Sequence, residues 1–423
     1  MNIVIFTGLA NIDKNLVGTA VIYKKIAAIA QKLGYCVDIV VPDLAEVESG
    51  INCHSWDKKN NEKLINQCDI AVFGAYPPIE PLLYVSKKKK IIMSYLWSLS
   101  PIGSMEFSDY RDFKKQRKLN EFICSSYNLQ LLLSDKIFCR DAEARKIILG
   151  SLLSLGRIDL YNYQEDKSLK KIAESAPFGI EKKSPRHMKN VYRGVVEGLG
   201  KNDFLLLSSG GIWNWNDGEV LISAMKLLSA KYHRNDIKLI FQGFRHPDSN
   251  QKLSDEAEKT LRLAEKSGLI GKNIFFAPWL PFTERDNYLC ECDAGIVSSP
   301  DIPEANFFLK TRIYDYLWAD LPVILGDNEA FSSLIKEKEL GVIAKCGEAD
   351  DWARVIIGLY RDKKKQNRIK SNIKNIKKEM IWDKTLGPVR KFLKNPEKDK
   401  NLLLRDRKLF FGNIEKNIEA AKS

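Results

Sequence analysis

Two doubly wound α/β domains are the fold that this sequence predicts, and two observations predict it. A short apolar strand, a loop and a helix recur along the chain, break off, and then recur again. The strands are near-continuous apolar runs rather than alternating ones, as parallel strands covered on both faces require. The length of 423 residues agrees, because single hydrophobic cores stop growing at about 250–300 residues.

The elements follow in order. "NIVIFTG" is a strand, and residues 19–33, "TAVIYKKIAAIAQKL", carry apolar positions at helical spacing until Gly34 ends the helix. "YCVDIVVP", "CDIAVFGAYP", "KKIIMSYLW", "DKIFCRD" and "IAESAPFGI" continue the strand series. Residues 186–200, basic and glycine-containing, read as a link between a first domain over 1–185 and a second over 201–378. In the second, "DFLLLSSGG", "IKLIFQG", "NIFFAPWLP", "AGIVSS", "LPVILGD" and "ELGVIAKCG" are strands. "GEVLISAMKLLSAKY" and "TERDNYLCECD" are helices, and a long helical region is expected from near residue 377. Residues 379–423 are expected to be helices that can pack back on the first domain.

Composition narrows the function classes. The chain is 44% hydrophobic and 29% charged, as soluble globular proteins are. No apolar run approaches the roughly 18 residues of a membrane span. "MNIVIFTGLANID" lacks a basic leader segment and reads as a strand, so the expected location is the cytoplasm. The eight cysteines are scattered without paired zinc spacings, and structural thiols are expected. Residues 361–423 hold 20 Lys and Arg against 8 Asp and Glu, so nearly all of the net charge of +13 sits there. That end is either a solvated lysine-rich face or a surface drawn to an anionic partner, the inner face of a membrane rather than nucleic acid. It carries no aromatic-interleaved module for bases.

In open α/β sheets, ligands bind beyond the carboxyl ends of the strands. "TGLANIDKNLVGTA" follows the first strand without a G-x-G-x-x-G or G-x4-G-K-[ST] pattern. Gly8 and Gly18 are either phosphate-approach glycines or simple turn glycines. Gly210 and Gly211 in "SSGGIWNWND" suit close ligand approach, while Trp213 and Trp215 suit either stacking on a base or sugar or wedging a domain face. Arg245 and His246 follow another strand end in "FQGFRHPD". "PEANFFLKTRIYDYLWADLPVIL" places Lys310 and Arg312 where a helix starts at about Thr311. Cations there are unfavourable unless an anion is bound, and a diphosphate fits. Glu304 lies just before, able to accept from sugar hydroxyls, and Asp315 lies one turn on, able to hold a ribose diol.

These stretches, with "APWLPFTERDNYLCECDAGIVSSPDIPEANFFLKTRIYDYLWADLPVIL" and "APFGI", resemble GT-B glycosyltransferases of the kind grouped in glycosyltransferase family 4. The resemblance is strong over 200–350, fair over 135–180 and weak over the first 130 residues. It implies two Rossmann-like domains, a nucleotide-sugar donor held mainly by the second, and an acceptor on the first near the loops after "FTG" and "FGAYPP". The family's E-x7-E pair falls on Phe307 and Asp315, with Glu304 the nearest acid to the first position. The usual Arg and Lys after the first strand of the second domain are replaced by "GGIWNWND".

The resemblance implies Glu304, Lys310 and Arg312 at the reacting centre. It implies donor contacts from Gly210, Gly211, Trp213, Arg245, His246, Phe308, Leu309, Thr311 and Asp315. It also implies retention of anomeric configuration, with no metal and no cofactor beyond the donor substrate. The function expected is transfer of a sugar to a glycan or lipid-linked acceptor in cell-surface polysaccharide synthesis (lipopolysaccharide, O-antigen or capsule). The alternative is a non-catalytic GT-B protein that binds a nucleotide sugar or glycan and scaffolds a partner transferase.

Overall fold

The computed structural model describes residues 1–8, 18–42, 52–75, 77–96, 112–245, 252–307 and 309–404. The chain forms two compact units, one made of Met1–Phe178 and the chain from Asp383, the other of Gly179–Trp382.

The first unit is built on β1 (Asn2–Phe6), β2 (Cys36–Val41), β3 (Asn52–Ser55), β4 (Ile70–Phe73), β5 (Ile91–Leu96), β6 (Lys136–Cys139) and β7 (Ala173–Ser175). They form one sheet in the order β3-β2-β1-β4-β5-β6-β7, parallel throughout. Strands β4 and β6 are buried at every residue; β4 accordingly reads as an unbroken apolar run, and β6 does so after Lys136, whose ammonium pairs with Glu174 at 2.8 Å. One face packs Val4, Phe6, Phe73, Leu82, Ile92 and Leu129 into a single cluster, with Phe6 stacked on Phe73 at 5.0 Å between ring centroids.

The second unit repeats the plan with β8 (Phe204–Ser209), β9 (Ile237–Gln242), β10 (Ile274–Ala277), β11 (Ala294–Val297), β12 (Val323–Gly326) and β13 (Gly341–Ala344). The order is β10-β9-β8-β11-β12-β13, again parallel. The chain winds outward one way from β8 and the other way from β11. The gap between those two strand ends is the topological switch point, where doubly wound sheets bind ligands.

Two expectations need correction. The stretch 186–200, read as a link, lies wholly in the second unit. The buried Glu291 carboxylate explains this: it accepts hydrogen bonds from the backbone N–H groups of Val191, Tyr192 and Arg193 at 2.5–3.1 Å. The chain instead passes between units at Phe178–Gly179 and Trp382–Asp383. The helical region expected from 377 begins earlier and is broken, into helices Lys363–Ile376, Trp382–Thr385 and Gly387–Lys394. Gly387 and Pro388 open the last of these, where a proline's missing N–H is not needed.

The segment after Asp383 belongs to the first unit and is tied to it by buried polar contacts. Arg157, with a fully buried side chain, pairs with Asp399 at 2.5 Å. The Asp399 N–H donates to Asp135 at 2.9 Å, and Asn401 donates to Asp159 at 3.0 Å. Phe392 packs edge-on against Phe138 at 6.1 Å. Among the described residues the cations of the basic end are thus divided, those up to Lys378 in the second unit and those from Lys384 to Lys400 in the first.

Candidate active site at the switch point of the second sheet

The all-buried strand β8 delivers Ser208 and Ser209 to the switch point and then turns through Gly210 and Gly211. Both glycines have left-handed backbones, with φ of 86° and 78°, which other residues adopt at a cost. Their N–H groups donate to the Gln242 carbonyl at the end of β9, at 3.0 and 3.4 Å. Gly243, with φ of 78°, lies alongside: a Cβ there would sit 3.5 Å from the Gly211 nitrogen and 3.1 Å from the Trp279 ring. A Cβ on Gly211 would sit 3.2 Å from the Trp213 indole nitrogen. The result is a floor of bare backbone with an indole at each side. Trp213 and Trp215 stack on one another at 5.6 Å and 14°, and Trp213 donates to the Gly210 carbonyl.

Above this floor lies Arg312. Its Nη2 donates to the carbonyls of Gly210 and Gly211 at 3.2 and 3.0 Å. Its Nε and Nη1 have no acceptor among the described residues. Burial lowers its pKa, yet a guanidinium stays charged in proteins. The helix that begins with it, Arg312–Trp318, is held in place by Tyr316, whose hydroxyl accepts from the Ser209 N–H at 2.9 Å. The Tyr316 ring lies flush against Gly295 of β11, where a Cβ would fall 2.1 Å from the ring.

Lys310 is placed differently from an open cation at a helix start. Its side chain is 3% exposed, and its ammonium lies 2.6 Å from the Glu329 carboxylate, which is 1% exposed. It also donates to the Ser299 hydroxyl and, at 3.5 Å, to the Ser298 carbonyl. Ser299 in turn donates to Glu329 at 2.5 Å. An ammonium has three hydrogens, and all three have protein acceptors. Burial pushes the Lys310 pKa down while Glu329 opposes the shift. The expected helix start at Thr311 is observed, but Thr311 makes no side-chain cap and the helix has only seven residues.

Asp315 meets Arg285 at 3.5 Å. Arg285 is itself sandwiched by Phe282 and Trp318, its guanidinium carbon 3.7 and 4.6 Å from their ring centroids. Burial raises the Asp315 pKa to about 6, with Arg285 holding it back. Leu309 is buried, and Arg245 is exposed just past β9. His246, Phe308 and the Glu304 side chain lie outside the described residues, although the backbone of Glu304 is in the helix Pro303–Phe307. In the first unit, Gly8 follows β1 with φ of 65° and Gly18 opens the helix Gly18–Lys32.

Sequence reasoning missed Ser299, Glu329, Gly243, Trp279 and Arg285. Of these Gly243, Trp279 and Ser299 carried a signal, as residues at the carboxyl ends of the predicted strands "IKLIFQG", "NIFFAPWLP" and "AGIVSS". Among the described residues no helix is long and apolar enough to cross a membrane.

Residues 195–376 match the family described as glycosyl transferases group 1. No curated protein matches the chain. Among solved structures, Anabaena HepE in complex with UDP and glucose superposes with a TM-score of 0.66 at 12% identity, covering 93% of this chain and 99% of that one. The E. coli trehalose-6-phosphate protein bound with UDP-2-fluoro glucose gives 0.65 at 13%, covering 94% and 100%. WaaG, a glycosyltransferase involved in lipopolysaccharide biosynthesis, gives 0.63 at 12%, covering 92% and 98%. The two parallel sheets and these likenesses make the fold GT-B, and with a glycosyl transferases group 1 domain over 195–376 the chain is a glycosyltransferase.

Proposed function

We propose that the protein transfers a sugar from a nucleoside-diphosphate sugar to a glycan or lipid-linked acceptor in cell-surface polysaccharide synthesis. The observation that carries this reading is Arg312, with two guanidinium nitrogens open above the Gly210–Gly211 turn at the switch point. Breaking the anomeric bond leaves negative charge on the departing diphosphate. A fixed cation in a water-poor site stabilises that charge most where it develops. Bare glycine backbone lets the phosphates approach closely. Trp213 and Trp279 supply flat apolar walls for a base or sugar, and Asp315, ionised above about pH 6, supplies an acceptor for ribose hydroxyls. The reading includes retention of configuration, with no bound metal, and an acceptor held by the first unit. UDP sugars are the first donors to test, because HepE and the E. coli protein were solved with UDP and a UDP-sugar analogue.

The test is release of nucleoside diphosphate from a panel of donor sugars in the presence of bacterial glycan and lipid-linked acceptors. Acceptor-dependent release that Arg312→Gln lowers by about 100-fold is expected. Release that is equal in Arg312→Gln contradicts the reading.

The cation-rich C-terminal end is proposed to meet an anionic leaflet on the cytoplasmic side, which would bring the site to a lipid-linked acceptor. Removing 405–423 spares the Asp399 and Asn401 contacts that hold the first unit together. That truncation is expected to lower co-sedimentation with phosphatidylglycerol vesicles, and unchanged co-sedimentation contradicts the proposal.

A further inference from the structure

The environment of Lys310 raises a problem that its chemistry alone does not. Two cations beside a diphosphate site would be expected to share the anion. Here one of them is fully occupied by protein acceptors: the Glu329 carboxylate at 2.6 Å, the Ser299 hydroxyl and the Ser298 carbonyl at 3.5 Å. Glu329 is itself fixed. It accepts from Ser299 at 2.5 Å, and its N–H donates to the Gly326 carbonyl at 3.3 Å, at the end of β12. The loop that carries it is tied to the end of β11 by Asn328, which donates to the Pro300 carbonyl at 2.8 Å. Lys310 and Glu329 are therefore built into the walls between two strand ends.

We infer that Glu329 is a positioning and charge-balancing residue: it holds Lys310 away from the donor's phosphates and reduces the net charge that they meet. This rests on the donor site proposed above. Lys310, Arg312 and Glu329 together present a single net positive charge to a diphosphate, rather than two. Arg312 alone then provides direct contacts, and the site holds the leaving nucleoside diphosphate less tightly than two open cations would. A site that must release this product every cycle benefits from that restraint, because uniform tight binding does not speed turnover. Asp217, whose charge also acts on Lys310, is unchanged in every comparison below.

The experiment is titration calorimetry with whichever of UDP, GDP, dTDP or ADP binds the full chain, and with its uncharged nucleoside as a competitor. Four proteins are compared: wild type, Glu329→Gln, the double variant Lys310→Met/Glu329→Gln, and Arg312→Gln as the control for the donor site. Glu329→Gln keeps the shape and removes one negative charge. It is expected to bind the diphosphate at least about tenfold more tightly, with nucleoside affinity unchanged. The double variant restores the wild-type net charge and is expected to bind the diphosphate within about threefold of wild type. A merely structural role for Glu329 would move nucleoside and diphosphate together.

Diphosphate affinity that is unchanged or weaker in Glu329→Gln overturns the inference. So does a loss of about 30-fold or more in the double variant, which would make Lys310 a direct phosphate ligand. If the wild type binds one diphosphate and Arg312→Gln does not, either result overturns this inference alone. If the wild type binds none of the four, both this inference and the donor site fall.

Discussion

Lys310 and Glu329 meet at 2.6 Å with side chains 3% and 1% exposed, joining the loop after β11 to the loop after β12. A buried ion pair is costly to assemble and more costly to break by halves, at about 3–5 kcal/mol for an orphaned charge. Lys310→Met is therefore expected to lower the unfolding free energy by about 3–5 kcal/mol, read by urea denaturation. Lys310→Met/Glu329→Gln is expected to recover most of that loss, because nothing charged is left unpaired. A double variant as unstable as the single one would contradict a coupled pair.

Gly295 transmits a second constraint to the site. The Tyr316 ring occupies the space that a Cβ on Gly295 would need, at 2.1 Å. Tyr316 also accepts from the Ser209 N–H, next to Gly210. Gly295→Ala is expected to cost about 1–3 kcal/mol by overpacking and to weaken nucleotide binding by shifting the helix that carries Arg312. Full stability with unchanged binding would show that the ring has room to move.

The parallel sheets were legible because buried parallel strands leave unbroken apolar runs, as in "FLLL" and "IAVF". β3 was not, since "NCHS" is a short, polar strand at the sheet edge. Lys310 and Arg312 could be singled out from their place before a helix, but their partners could not. Glu329 reaches Lys310 only because β11 and β12 are parallel neighbours, and Arg285 reaches Asp315 from a different helix. Spacing along the chain carries no record of such meetings. The division of the basic end between two units was hidden for the same reason, because it depends on where the chain returns to the first sheet.

Asp315 gives stability a defined pH signature. Its pKa rises from 3.8 to about 6 on folding, chiefly through burial. Between these values the folded state binds the proton that the unfolded state has released. Its contribution therefore declines as pH rises from about 4 to 6 and is level above 7. The stability difference between wild type and Asp315→Asn is expected to fall by about 1–2 kcal/mol across that window, the partial exposure of the side chain limiting the effect. Denaturation curves at pH 4.5 and 7.5 measure it. A difference that is constant, or that grows with pH, would contradict the assignment.

The donor site itself rests on Arg312 above Gly210 and Gly211. The most direct measurement is calorimetric titration of UDP, GDP, dTDP and ADP into wild type and Arg312→Gln, with melting temperatures recorded for both. One diphosphate is expected to bind the wild type and to lose about 30-fold or more in affinity in the variant, at a melting temperature within a few degrees. Equal affinity in the two proteins would contradict the account.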